Sequence, residues 1–429
     1  METILTELIS LPIFMNEFGK QLYIVRKHKN LTLRQLDELS GVKFVRIGRF
    51  ENDKEQPTLE IIRKLENALG VSFEQLENVS REIKELYARF VDTLIYDRND
   101  LNQYIELISK NRGIYLVNSH YPIILLILYI IDIHKNNLAE AEKIEEELEK
   151  LLLANSEYCQ LYYEYKGVRF YLQEHYEEAA NILTYAMTIA NNYKQNTMIC
   201  YHLSMVNMSR NIYIEALSYA DMAKKGFVEF ASFKRILYIE GQIGSIYSQM
   251  RRFDLAINKY TTCLTVCETL DVSPTTKALF YRNLSWIHIK SGNYFQSLAY
   301  LEKAEILDPE NIYLRMYKIW CNYKLGRYNT ARSLTIQYKA IEENKSFKKR
   351  FKLFCELVYK EGTMPTLPLL KSAIDVYDEF AAKCNFELMN FYIDIVIDLL
   401  KQRNDDKRLI QYLETKIKIN NEINQQRNY

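Results

Sequence analysis

The sequence predicts an all-α protein in which a small N-terminal helical domain is followed by a long array of stacked helical hairpins. Three observations carry that expectation. The 429 residues include only 12 glycines and 7 prolines, against abundant Leu, Ile, Tyr, Glu and Lys, a composition that favours helices over sheet. Apolar residues between Phe18 and Leu76 fall at helical spacing and do not alternate as in a strand. Further along the chain, small and aromatic residues recur at matching offsets, as a stack of repeated units requires.

In the N-terminal segment, Leu22, Val25, Leu33, Leu36, Leu39, Val42, Ile47, Phe50, Ile61, Leu65, Leu69 and Val71 are spaced to share one small core of five helices. Thr32 is placed to N-cap the helix that starts at Leu33, and the Ser40-Gly41 pair ends it because glycine accepts the left-handed geometry of a tight turn. A second helix, about Lys43 to Glu51, leaves that turn carrying Lys43, Arg46 and Arg49. Asn52-Asp53 and Gln56-Pro57-Thr58 read as a loop, with Thr58 capping a fourth helix that ends at Gly70.

This helix-turn-helix spacing resembles the Xre/Cro-type repressor domain over roughly sixty residues, and the resemblance implies that the second motif helix enters the DNA major groove. Carried over by position, Arg26 and Glu51 match a buried ion pair of such domains. Lys43, Phe44, Val45, Arg46 and Arg49 occupy the groove-facing helix, and Thr32, Leu33 and Arg34 at the start of the preceding helix complete the candidate DNA-binding set. The chain departs from the pattern in three ways. Leu33, Phe44 and Val45 stand where many relatives carry base-bonding amides, so readout leans on thymine methyls and arginines. Asp37 replaces a small residue where the motif helices approach, and Gly48 weakens the recognition helix by roughly 1 kcal/mol relative to alanine. The segment holds eleven Lys/Arg against eight Asp/Glu, and the whole chain carries a formal charge of +1. DNA affinity therefore has to come from a local patch, and a single weakly basic copy holds few phosphates. A homodimer on a palindromic operator is the expected remedy.

The rest of the chain fits the tetratricopeptide pattern, in which small residues let two antiparallel helices touch and aromatics fill the gaps between pairs. One copy runs from Gln160 through Gly167, Phe170, Tyr176, Ala179, Leu183 and Ala186. Another runs from Leu237 through Gly244, Tyr247, Phe253, Ala256, Tyr260 and Cys263. A third starts at Ala278 and closes at Pro309, and a fourth follows from Ile312 with Gly326, Tyr328 and Ala331. Weaker copies lie near Thr197 to Phe230 and near Pro122 to Asn155. Beyond Lys345 the pattern fades into about four helices expected to cap the stack. The expected organisation is a 1–17 extension, an 18–77 helix-turn-helix domain, a 78–121 linker helix and start of the array, 122–345 repeats and a 346–429 helical cap. Relatives of the N-terminal domain begin close to the Phe18-Gly19-Lys20 segment, so Met15 competes with Met1 as the start.

Chemistry other than binding has little support. The longest apolar run, Tyr121 to Ile131, is too short to span a bilayer, and no secretory signal precedes the domain. Seven cysteines scattered through helices suit a reducing cytosol. Cys263 and Cys267 share a helix face, but no second pair completes a metal site, and core packing is their expected role. His28 falls at a helix end and His175 in a turn. No P-loop, Rossmann glycine pattern, HExxH or GxSxG occurs, so neither cofactor nor catalysis is expected.

A tetratricopeptide groove that holds an extended peptide needs amides for the peptide backbone and aromatics for its side chains. Asn207, Asn283 and Asn322, together with Tyr201, Arg282, Trp286, Trp320 and Tyr323, fall on expected first helices of repeats and form the candidate peptide-binding set. A repressor-type domain fused to such an array resembles the RRNPP group of Gram-positive peptide-pheromone receptors (the Rgg, PlcR, PrgX and NprR group), in length and repeat number most like the NprR branch. The resemblance implies a cytoplasmic homodimer that binds double-stranded DNA and a short re-imported signalling peptide in quorum sensing. Two alternatives stand beside it. One is a ligand-independent repressor whose array only dimerises. The other is a Rap-like regulator that binds a response regulator or phosphotransfer protein.

Overall fold

A computed structural model describes residues 17–97, 101–151, 156–190, 192–270, 272–337 and 345–425. The expectations for residues 1–16, including the choice between Met1 and Met15, lie outside the described residues. Every regular element among the described residues is an α-helix. The chain divides into two compact units, 1–199 and 200–429.

The first unit opens with α1 (Glu17–His28), α2 (Leu33–Ser40), α3 (Phe44–Glu51), α4 (Leu59–Leu69) and α5 (Phe73–Tyr96). The start of α2 is a reciprocal cap: Gln35 N–H donates to Thr32 Oγ1 at 3.2 Å, and Thr32 N–H donates to Gln35 Oε1 at 2.8 Å, an arrangement worth about 1 kcal/mol. Gly41 ends α2 with φ +68°, its N–H on the Asp37 carbonyl. Thr58 sits at the N-cap of α4 without the expected side-chain bond. Leu22, Leu36, Ile47, Phe50, Leu65 and Leu69 are fully buried in one core. Leu39, expected there, is 59% exposed; Leu36 and Val42 supply that side of the core and leave the last turn of α2 in solvent. Gly19 is required on packing grounds, since a Cβ there would fall inside contact distance of the Phe50 carbonyl oxygen.

Helix α5 runs unbroken across position 77/78. Its Phe73 and Leu76 join the N-terminal core, and Val79, Ile83, Leu86, Phe90 and Leu94, spaced three and four apart, enter a second core. That core is completed by α6 (Asn102–Lys110), α7 (Arg112–Leu116), α8 (Tyr121–His134), α9 (Leu138–Leu151) and α10 (Ser156–Leu172). The apolar run noted in the sequence is α8, with nine buried residues from Ile123 to Ile133. No helix among the described residues is long and apolar enough to cross a membrane. A hairpin of α10 and α11 (Tyr176–Ile189) follows. Its close approach depends on Gly167, because a Cβ there would meet Leu183 Cγ at 2.6 Å. Helix α12 (Tyr193–Ser209) spans the boundary between the units.

The second unit continues as hairpins. Helix α13 (Tyr213–Glu229) is followed by α14 (Phe233–Gln249) with α15 (Phe253–Val266), α16 (Pro274–Lys290) with α17 (Tyr294–Leu307), and α18 (Ile312–Lys324) with α19 (Tyr328–Gln337). Four further helices follow: α20 (Lys345–Tyr359), α21 (Leu367–Ala382), α22 (Phe386–Gln402) and α23 (Asp406–Gln425). Cys263 and Cys267 are buried in this stack, and desolvation pushes the Cys263 thiol up to about 12, consistent with packing residues. Within the unit, α22 folds back against α16: Glu387 accepts hydrogen bonds from Trp286 Nε1 at 2.9 Å and from Lys290 Nζ.

Candidate nucleic-acid interface and array pocket

The motif helices are held by the domain's interior. Arg26 and Glu51 are 4% and 3% exposed and form a two-pronged pair, Nε to Oε1 at 2.6 Å and Nη2 to Oε2 at 2.7 Å, while Arg26 Nη1 donates to the Leu31 carbonyl at 2.7 Å. The guanidinium thus ties α1, the loop before α2 and the end of α3 together. Burial raises the Glu51 pKa and the Arg26 bonds oppose that rise. Asp37 has a role the sequence did not suggest. Its Oδ2 accepts the Phe44 N–H at 2.9 Å, capping α3 in place of Lys43, which makes no side-chain cap. A carboxylate at a helix N-terminus is favourable in itself, so the departure from a small residue at 37 is compensated locally.

The candidate DNA-binding residues are all at least partly accessible. Thr32, Arg34, Lys43, Phe44, Val45 and Arg49 are exposed, and Leu33 and Arg46 are half-buried. Phe44 and Val45 are 40% and 51% exposed although apolar, which suits contact with thymine methyls more than core packing. The Arg34 guanidinium lies over the Phe44 ring at 5.7 Å. The sequence missed Glu55, in the loop after α3. Its Oε1 accepts from Arg46 Nε at 2.8 Å and Nη2 at 2.5 Å, and its Oε2 lies 3.9 Å from Arg49 Nη1. One carboxylate thus faces both recognition-helix arginines. The face remains net cationic through Arg34 and Lys43, as an anionic partner requires.

The domain is also fixed to the start of the array. Gln21 Nε2 donates to the Val117 carbonyl at 2.6 Å, and Gln21 Oε1 accepts the Ser119 N–H at 3.0 Å. Asn118 Nδ2 donates to the Leu76 carbonyl at 2.9 Å. Ile114 and Val117 pack against the N-terminal core.

The candidate peptide-binding residues separate into two groups. Asn207 is buried, its Nδ2 on the Leu203 carbonyl and its Oδ1 on Arg210. Asn322 is buried with Nδ2 on the Lys318 carbonyl. Asn283 donates to Tyr260 Oη at 3.1 Å, Arg282 lies over Tyr313, and Tyr201 packs on Phe227 under Arg235. Trp286 and Tyr323 stand behind the lining of a cavity of about 480 Å³ in the second unit: Trp286 bonds Glu387 of its wall, and Tyr323 packs on Trp320 of its wall at 5.7 Å. The cavity is walled by residues of α14 to α18, α22 and α23. Lys290 at its edge is fully engaged, with Ser248 Oγ at 2.5 Å, the Ser248 carbonyl at 3.2 Å and Glu387. Lys416 pairs with Asp394, and Lys324 stands 3.8 Å from Asp398. The residues missed here are those of α22. A row of Glu387, Asn390, Asp394 and Asp398 on an otherwise apolar helix was the available signal.

A helix-turn-helix family profile matches residues 22–76, and a tetratricopeptide-repeat profile matches residues 241–271. Among solved structures, the apo quorum sensor NprR from B. thuringiensis superposes with TM-score 0.60 at 17% identity, over 80% of this chain and 99% of NprR. The chain shares the fold of this sensor. NprR in complex with its cognate peptide NprX gives TM-score 0.56 at 18% identity, over 77% and 99% of the two chains. A Rap protein complexed with Competence and Sporulation Factor gives 0.64 at 15% identity, over 82% and 99%. The N-terminal domain also has a curated sequence relative, the HTH-type transcriptional repressor RghR of Bacillus subtilis (strain 168), 38% identical over 74 residues. That stretch is 17% of this chain and spans about half, 55%, of the repressor's length.

Proposed function

We propose that this protein is a DNA-binding transcriptional regulator whose array binds a short signalling peptide, acting as a cytoplasmic homodimer on a palindromic operator. The observation that carries the reading is the exposed face of α3, where Phe44, Val45, Arg46 and Arg49 project from a helix braced by the buried Arg26–Glu51 pair. Accessible cations neutralise phosphates, and a rigid helix presents side chains to base edges. The similarity of residues 22–76 to helix-turn-helix domains, RghR's among them, supports the DNA half of the reading. The fold shared with NprR, solved with its cognate peptide, supports the peptide half. Peptide binding shifts the population between two arrangements of the dimer and so alters the separation of the two recognition helices.

The test is selection of bound sequences from random DNA with the full-length chain, followed by affinity measurement on the recovered site. A discrete palindrome is expected. The double variant Arg46→Ala with Arg49→Ala should lose about 1 to 3 kcal/mol per lost base contact. A second reading, a helix-turn-helix used for protein contacts, is favoured by Glu55 facing both arginines; failure to enrich any sequence would establish it in place of the first.

A further inference from the structure

The DNA-binding domain and the first array helices meet at a joint made by two buried amides. Gln21 of α1 is 5% exposed, and Asn118, in the turn between α7 and α8, is 1% exposed. Gln21 uses both ends of its amide on the backbone of that turn, as donor to the Val117 carbonyl at 2.6 Å and as acceptor of the Ser119 N–H at 3.0 Å. Asn118 ties the turn to α5. Its Nδ2 donates to the Leu76 carbonyl at 2.9 Å, and its Oδ1 accepts from Ser80 Oγ at 3.2 Å and from the His120 N–H at 2.9 Å. Amides buried this deeply, with donor and acceptor both engaged, fix the groups they join in direction as well as distance.

These bonds close a triangle. Helix α5 joins the N-terminal core through Phe73 and Leu76, both in its first turn, and the terminal residues of an element are where hinges form. Asn118 braces that place from one side, at Leu76 and Ser80, where α5 passes from one core to the other. Gln21 braces it from the other, joining the same turn to α1, and Ile114 and Val117 fill the angle between them. Helix α1 is in turn tied to the end of α3 by the Arg26–Glu51 pair. The orientation of the recognition helix therefore follows that of α5 and the helices packed on it.

Resting on the reading above of a homodimer on a palindromic operator, we propose that Gln21 and Asn118 are positioning residues that set the half-site spacing the protein accepts. A dimer whose recognition helices are each locked to their own array presents them at one separation and one relative rotation. Each base pair added between half-sites moves them about 3.4 Å apart and turns one by about 35° relative to the other, a displacement that a pivoting joint absorbs and a locked one does not. Neither residue reads a base. They select the operator by its geometry, whereas Arg46 and Arg49 select it by sequence.

The experiment uses the full-length protein and the palindrome selected from random DNA. Affinity is measured for the isolated half-site and for duplexes whose spacer is shortened or lengthened by one and by two base pairs. Wild type should bind one spacer and lose about a hundredfold on the others, since the gain from engaging two sites disappears when geometry forbids it. Gln21→Met keeps the length of the side chain and removes both bonds, and Asn118→Ala removes the tie to α5. Each variant should bind the half-site as wild type does and accept neighbouring spacers with losses below about tenfold, because a looser tether keeps part of the two-site gain. Unchanged half-site affinity separates positioning from damage to the motif. The spacer series on wild type needs no variant: equal affinity for every spacer would show a joint that already pivots, and would overturn the inference while the regulator reading stands. Variants that bind the half-site normally yet stay as strict as wild type would overturn it too. If no palindrome is recovered, the inference falls together with the reading it rests on.

Discussion

The motif face of the N-terminal domain and the cavity of the second unit differ in how their cations are partnered. On the motif face cations outnumber their partners: Arg46 and Arg49 share Glu55, and Arg34 and Lys43 are exposed. In the cavity every lysine faces a carboxylate, and Arg251 donates to Asn420 Oδ1 at 2.9 Å. The difference teaches what each site requires. Surplus cations on an accessible surface suit a polyanion and confer salt-dependent affinity. A cavity whose lysines already face carboxylates offers a polyanion far fewer free cations.

The contrast also runs between the motif's interior and its surface, and substitutions can break it. The largest effect is expected at Arg26. Replacing it by alanine strands Glu51 in the core, and removal of one partner of a buried pair costs about 3 to 5 kcal/mol. Urea denaturation of the full chain should show early loss of the N-terminal domain; unchanged stability would mean that the pair does not brace the motif. A smaller effect is expected at Glu55. Glu55→Gln removes the carboxylate that competes with phosphate for both arginines, and an exposed pair of this kind is worth at most about 1 kcal/mol. DNA binding should tighten by up to about fivefold at low salt. Weakening would show instead that Glu55 aims Arg46 at its target. The smallest effect concerns Gly48 of α3. A Cβ there would meet Leu33 Cδ1 at 3.5 Å, an ordinary contact, so Gly48→Ala should stabilise the domain by up to about 1 kcal/mol, read as a higher melting temperature without loss of DNA binding.

Much of this architecture was legible in the sequence because it rests on local rules. Thr32 with Gln35, Gly41, and the periodic apolar residues of α1 to α4 encode caps and a stripe within a few residues of one another. Gly167 and its facing Leu183 belong to one repeat. The misses have non-local causes. Leu39 has the spacing of a core residue but lies on a last turn that Val42 leaves in solvent. Asp37 looked like a defect until α3 placed the Phe44 N–H against it. Glu55 is an ordinary loop acid until the loop folds back on α3. That Asn207 and Asn322 each bond a carbonyl of their own helix is likewise invisible in the spacing. The α22 partners of Trp286 lie 101 residues and more away, where the repeat pattern has faded, so only the folded chain brings Glu387 and Phe391 beside the tryptophans.

The central claim is that one ligand site in the array controls a DNA-binding face. The most direct measurement is the affinity of the full-length chain for its selected DNA, with and without a saturating peptide that it retains from a randomised library, at fixed salt. The account predicts a change of at least about fivefold in either direction, the lower end of ordinary coupling free energies. Identical affinities with the peptide demonstrably bound would contradict it.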